Sequence, residues 1–186
     1  MHIFKGLGTE GARRGAPREM AGHGDHRVVV LMGVCGSGKT TIGRLLGQQT
    51  GWPFYDGDDF HPRANVEKMA RGEALGDADR QPWLDLLARN IDQWLSAGSA
   101  ILACSALKET YRRTLEGGRP EVCVVYLKGS KELIHQRLAA RVHRYMPPTL
   151  LDSQFAALEE PLDALVVEVL TTPEAAAAQI RDFLGV

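Results

Sequence analysis

Gly33-Val34-Cys35-Gly36-Ser37-Gly38-Lys39-Thr40 is the stretch whose reading decides the fold. Before it runs Arg27-Val28-Val29-Val30-Leu31-Met32, short, apolar and β-branched, the composition of a buried strand. After it comes Thr41-Ile42-Gly43-Arg44-Leu45-Leu46, with apolar residues at helical spacing. Strand, glycine-rich turn, Gly-Lys-Thr and helix form a phosphate-binding P-loop in the context that motif requires. The glycines let the backbone curl until successive N–H groups point inward as an anion nest. The helix start adds the positive end of its dipole at the same place. Lys39 is expected to reach the β- and γ-phosphates and the Thr40 hydroxyl to hold Mg²⁺. Nucleoside triphosphate binding by Gly33, Val34, Cys35, Gly36, Ser37, Gly38, Lys39, Thr40 and Thr41 is the firmest expectation from the sequence.

Working outward, the 186 residues suit one domain, and 44% hydrophobic residues suffice for one core. A net charge of −1 speaks against a broad nucleic-acid or membrane surface. No apolar run reaches transmembrane length, and the N-terminus lacks the continuous apolar region of a secretory signal. Cys35, Cys104 and Cys123 show no Cys-x-x-Cys spacing and read as small buried or loop thiols of a cytoplasmic protein. Residues 1–26, rich in Gly, Arg and Ala with no apolar period, read as a disordered extension, leaving 27–186 as the folded domain.

Along that domain, strand and helix patterns alternate. Strands are expected at 27–32, 52–55, 100–104, 122–127 and 164–169, with helices between and after them. This gives an α/β fold, a five-stranded parallel sheet with helices on both faces. The second strand runs into Asp56-Gly57-Asp58-Asp59-Phe60-His61-Pro62, three carboxylates and a His at the strand end where ligands of open α/β sheets bind. A helix is expected over 62–71, then a turn-rich crossing over 72–83. Trp83, Leu87, Ile91 and Trp94/Leu95 then repeat as a core face. Arg80, between acids, is free by sequence to pair with Asp77 or to meet a substrate. The third strand ends in Cys104-Ser105 rather than an Asp, so a carboxylate for the metal must come from Asp56 or Asp58. Ser130 and Thr172 are expected helix caps. Arg137, Arg141, His143 and Arg144 lead into Tyr145-Met146-Pro147-Pro148, a cationic run with a Pro-Pro stop that suggests a mobile lid over about 141–149.

These residues resemble the gluconokinases of the P-loop small-molecule kinase family, from about residue 28 to the end. Besides the P-loop, the resemblance rests on Tyr55-Asp56-Gly57-Asp58-Asp59-Phe60-His61-Pro62 with Asn65 to Met69, and on Asp77-Ala78-Asp79-Arg80-Gln81-Pro82-Trp83. It also rests on Cys104-Ser105-Ala106-Leu107-Lys108 with Tyr111-Arg112, and on Met146-Pro147-Pro148 with Leu150-Leu151, Ser153-Gln154-Phe155 and Leu158-Glu159. It implies ATP-dependent phosphorylation of D-gluconate at its 6-hydroxyl. The chain departs from the family pattern at Cys35, commonly Ser; at Gly76, often Asn; and at His143-Arg144-Tyr145, where Gly-His and an aromatic are usual.

With that resemblance, roles can be assigned. Lys39, Asp58 and Arg137 are the expected catalytic residues, Asp58 acting on the acceptor hydroxyl. Thr40 and Asp56 are expected at Mg²⁺. His61, Lys68 and Arg80 are candidate partners for the gluconate carboxylate, and Ser105 and Lys108 for sugar acid or phosphate. Arg137 and Arg141 are expected on the adenine or over the migrating phosphoryl group. A homodimer is the assembly expected on general grounds alone. A kinase of another small hydroxy acid such as shikimate, a nucleoside monophosphate kinase and a nucleotide switch stand as alternatives. The switch would want a guanine-reading Asn-Lys-x-Asp run, and Leu127-Lys128-Gly129-Ser130 offers none.

Overall fold

A computed structural model of the protein describes residues 26–140 and 148–186. Five parallel strands, β1 Val28–Met32, β2 Phe54–Asp56, β3 Ala100–Ala103, β4 Val122–Lys128 and β5 Leu165–Glu168, form one sheet in the order β2-β3-β1-β4-β5. The helices are α1 Lys39–Thr50, α2 Arg63–Ala70, α3 Asp77–Ala97, α4 Glu109–Glu116, α5 Lys131–Ala139, α6 Pro148–Ala157 and α7 Pro173–Leu184. The α/β parallel sheet expected from the alternating pattern is therefore the architecture found.

Strand β1 shows why the sheet needs cover on both faces. All five of its residues are buried. Val28, Val30 and Met32 point into a cluster with Trp83, Leu84, Leu87 and Ile91 of α3 and with Leu115 of α4. Val29 and Leu31 point the other way, into a cluster with Ile42 and Leu46 of α1 and Ile180 and Leu184 of α7. The period-2 alternation of a strand, with both faces apolar, demands this sandwich. Helix ends follow local chemistry: Ser130 accepts from the Leu133 N–H, Thr172 from the Ala175 N–H, and Gly51 closes α1 at φ 75°.

Two boundaries differ from the sequence reading. Helix α3 begins at Asp77, six residues before Trp83, and carries Pro82 inside it. The Gly76 N–H donates to the Asp79 carboxylate at 2.7 Å, and Asp77 and Asp79 place negative charge in the first turn. Pro82 removes only the bond to Ala78, whose exposed carbonyl end can turn to water. The second difference is at the expected lid: Pro148 and Thr149 already belong to α6. The rest of that lid, Arg141 included, and the expected N-terminal extension up to residue 25 lie outside the described residues. His26 is described, its Nδ1 2.8 Å from the Leu95 carbonyl.

The turn after β2 is packed against backbone. A Cβ on Gly57 would lie 2.7 Å from the Ala103 carbonyl oxygen and 3.5 Å from the Trp83 ring. Gly57→Ala is therefore expected to lower the unfolding free energy by about 1–3 kcal/mol, the usual cost of overpacking where backbone cannot retreat. Urea denaturation checks this, and an unchanged midpoint would show that the turn has slack.

Candidate active site

The parallel order places the ends of β1, β2 and β3 side by side, and the residues that follow them line one cavity of about 620 Å³. From the P-loop come Cys35, Gly36, Gly38, Lys39, Thr40 and Thr41; from the end of β2 and the turn after it come Asp56, Asp58 and His61; Glu73, Arg80, Ser105 and Gln154 complete the polar lining. Lys39 and Asp58, 19 positions apart in sequence, share this cleft.

The P-loop curls through positive φ at Gly33, Gly36 and Gly38, which L side chains rarely adopt. Lys39 Nζ donates to the Gly33 and Val34 carbonyls at 2.8 and 3.0 Å. Burial lowers the Lys39 pKa, with Cys35, Asp58 and Asp56 opposing that trend. Thr40 Oγ1 donates to Asp56 Oδ2 at 3.0 Å, and Asp56 Oδ1 accepts from the Asp58 N–H at 3.2 Å. The nest and the acidic turn are thus hydrogen-bonded to each other. Nearby Cys104 is no nucleophile: burial pushes its thiol up to about 12.

A second cavity of about 350 Å³ shares Gly36, Gly38 and Thr41 with the first and is lined also by Arg137, Ala140, Thr171 and Pro173. Arg137 donates to the Val169 carbonyl, tying α5 to the end of β5. The P-loop therefore separates two compartments, and Arg137 stands in the one away from Asp58.

The expected substrate contacts are not all free. Lys68 is paired with Asp79 at 2.7 Å, and Lys108 with both Asp77 oxygens at 2.7 and 2.8 Å. Neither lysine lines the cavity. Arg80 does; it donates to the Leu75 carbonyl and lies 5.8 Å from the centre of the Tyr111 ring. His61 stacks on Trp83 at 4.2 Å between ring centres, and Asn65 Nδ2 lies 3.4 Å from its Nδ1. Burial holds the His61 pKa below its usual value, with Asp58 opposing and Arg80 reinforcing that shift. Burial thus favours the neutral form of His61, and Arg80 is the one cationic candidate of the three that faces the cavity.

Sequence reading missed two contributors. Trp83, read as core, is buried but also walls the cavity, and its Nε1–H donates to the Gly57 carbonyl at 2.8 Å. Gln154 carries no site signal in the sequence beyond its motif; its Oε1 accepts from the P-loop Cys35 N–H at 2.7 Å. No spacing rule reaches across 119 positions to find that bond.

Comparison with known proteins bears on this site. The shikimate kinase family model matches residues 35–166. A probable gluconokinase of Rattus norvegicus is 45% identical over 156 residues, covering 72% of this chain and 83% of the rat protein. The thermoresistant gluconokinase of Escherichia coli is 42% identical, covering 78% and 86%. The chain belongs to the gluconokinase family. The crystal structure of a gluconokinase from Sinorhizobium meliloti superposes on this family member with a TM-score of 0.76 at 32% identity, over 88% of this chain and 98% of that one. Identity at this level over most of both chains goes beyond a shared fold.

The His61 environment sets a pH dependence. The unfolded state takes up a proton near the usual His pKa of about 6.5, whereas the folded state resists until lower pH. Folding stability should rise with pH through the interval just below 6.5. Subtracting the stability profile of His61→Gln from that of the wild type should isolate this rise; identical profiles would mean that His61 is solvated and titrates normally.

Proposed function

We propose that this chain phosphorylates D-gluconate on its 6-hydroxyl at the expense of ATP, releasing 6-phosphogluconate and ADP. The observation that carries the reading is the single cleft in which the phosphate nest with Lys39 faces the carboxylate of Asp58. Gluconokinase relatives at 42–45% identity support the acceptor over shikimate or a nucleoside monophosphate.

Phosphoryl transfer needs positioning and charge neutralisation more than covalent help from the protein. The inward N–H groups from Gly33 to Thr40 would hold the phosphate chain, with Lys39 leaving its loop carbonyls to pair with the terminal oxygens. The Arg137 compartment would take the adenine. In the first compartment, Asp58 would orient the 6-hydroxyl and accept its proton. The hydroxyl oxygen forms the new P–O bond as the bond from the terminal phosphorus to the bridging oxygen breaks, and that electron pair leaves with ADP. Arg80 would receive the sugar-acid carboxylate, with His61 donating to a hydroxyl and Ser105 at the wall.

The residues present fit Mg²⁺. No group of three His, Cys, Asp or Glu that could hold a metal ion exists among the described residues. The Thr40 hydroxyl and Asp56 carboxylate supply the one or two hard oxygens that Mg²⁺ takes from a protein when phosphates and water supply the rest. Bound there, it would neutralise charge on the phosphates. A cytoplasmic location and a homodimer complete the proposal; three free thiols, two of them buried, suit the former.

An ADP-release assay with ATP and Mg²⁺ should respond to gluconate and not to shikimate or nucleoside monophosphates; stimulation by shikimate alone would overturn the acceptor assignment. Asp58→Asn should lower kcat by about 10²-fold or more, the scale of a lost general base, with little change in the gluconate KM. Arg80→Ala should chiefly raise that KM, by roughly ten- to a hundredfold if a charge-assisted bond of about 1.5–3 kcal/mol is lost. A changed ATP KM alone would place Arg80 at the other ligand.

A further inference from the structure

Gln154 lines the cleft and has no part in the proposed kinase chemistry. Gln154, on α6, reaches back to the P-loop and accepts the Cys35 N–H at 2.7 Å. An N–H can only face an acceptor, so this bond fixes the carboxamide orientation: Oε1 lies on the loop, and the Nε2 amino group is the end left over. Among the described residues nothing accepts from Nε2. Gln154 lines the cleft beside Asp58, Arg80 and Ser105 and is absent from the Arg137 compartment. Cys35 has the same distribution, whereas Gly36 and Gly38 border both cavities. The Cys35 amide is therefore at the acceptor end of the nest, where the last phosphate of a bound triphosphate must lie if the first compartment holds the acceptor.

Resting on the proposed kinase activity, we infer that Gln154 is a contact for the transferring phosphoryl group: Oε1 anchors it to the Cys35 N–H, and the Nε2 amino group donates to an oxygen of the terminal phosphate. A neutral donor held by the loop itself suits this place. It adds a hydrogen bond to developing charge without drawing Asp58 into an ion pair, as a further lysine would. It also needs no movement of a long chain at the moment of transfer, because the anchor already fixes its direction. ADP lacks the third phosphate that this donor meets, so Gln154 serves to tell ATP from ADP.

The test compares wild type, Gln154→Ala and Gln154→Glu. Glu keeps an oxygen for the Cys35 N–H but brings no amino donor, so it restores a purely structural role and not a phosphoryl contact. Binding of ADP and of a non-hydrolysable ATP analogue is measured by titration calorimetry with Mg²⁺, beside gluconate turnover and melting temperature. Gln154→Ala should lose about tenfold or more in kcat and in preference for the triphosphate analogue over ADP, with ADP affinity within about twofold of wild type; Gln154→Glu, whose added charge also repels phosphate, should lose at least as much in kcat. Wild-type kcat in Gln154→Glu, or equal losses of ADP and analogue binding in Gln154→Ala, would overturn the inference. Should Gln154→Ala melt early, its ratio of analogue to ADP affinity, measured well below its melting temperature, decides. If wild type fails to phosphorylate gluconate, the acceptor assignment falls, while the nucleotide comparison still decides for or against Gln154.

Discussion

The ladder between β1 and β3 does not stop where the strands do. The Cys104 N–H donates to the Leu31 carbonyl at 3.1 Å, and the Gly33 N–H to the Ser105 carbonyl at 3.2 Å. Parallel pairing thereby runs into the first residue of the phosphate nest and holds it against the tip of β3. On the other side of β3, Asp56 pairs in register with Ala103, and Gly57 is tight against the Ala103 carbonyl. Three loops that carry the phosphate nest, Asp58 and Ser105 are thus fixed by backbone, before any side chain is considered. The Thr40–Asp56 hydrogen bond then closes the arrangement from above. Glycine is required where this frame is tightest: a Cβ on Gly33 would lie 2.8 Å from the Leu127 carbonyl, at φ 143°.

Charge is apportioned with equal economy. The chain is nearly neutral, yet the cleft brings Lys39 and Arg80 into one space with Asp56 and Asp58. The other cations of the acceptor region are withdrawn from it. Asp79 holds Lys68 and the Gly76 N–H, and these bonds keep its carboxyl pKa below the usual value. Asp77 holds Lys108 and the Tyr111 hydroxyl, with the same effect on its own carboxyl. Both acids lie in the first turn of α3, so the helix that supplies Trp83 and Arg80 is also pinned to α2 and to the start of α4. What remains for a small anionic acceptor is Arg80, braced over Tyr111, and His61 on the Trp83 ring.

Much of this was legible in the sequence, for reasons that differ by element. β1 and β4 are continuous β-branched runs, and the P-loop carries its own geometry in its glycines, so their placement needed no tertiary information. The acidic turn was legible because three carboxylates at a strand end have no role in a core. The start of α3 was not, because Pro82 outweighs an Asp79 cap that shows itself only as a bond to the Gly76 N–H. Lys68 and Lys108 looked available because their partners, 11 and 31 residues away, become neighbours only when α2, α3 and α4 pack. Gln154 was invisible as a site residue for the same reason: its partner is a backbone N–H on another element. Side chain to backbone bonds across the fold leave no pattern in a single sequence.

That nest and carboxylate turn serve one reaction centre is tested most directly by a crystal structure with a non-hydrolysable ATP analogue, Mg²⁺ and gluconate. It should place the gluconate 6-hydroxyl oxygen within about 3–3.5 Å of the terminal phosphorus, in line with the bond to be broken and beside Asp58. Gluconate seated in the Arg137 compartment, or nucleotide phosphates lying outside the nest of Gly33 to Thr40, would contradict it.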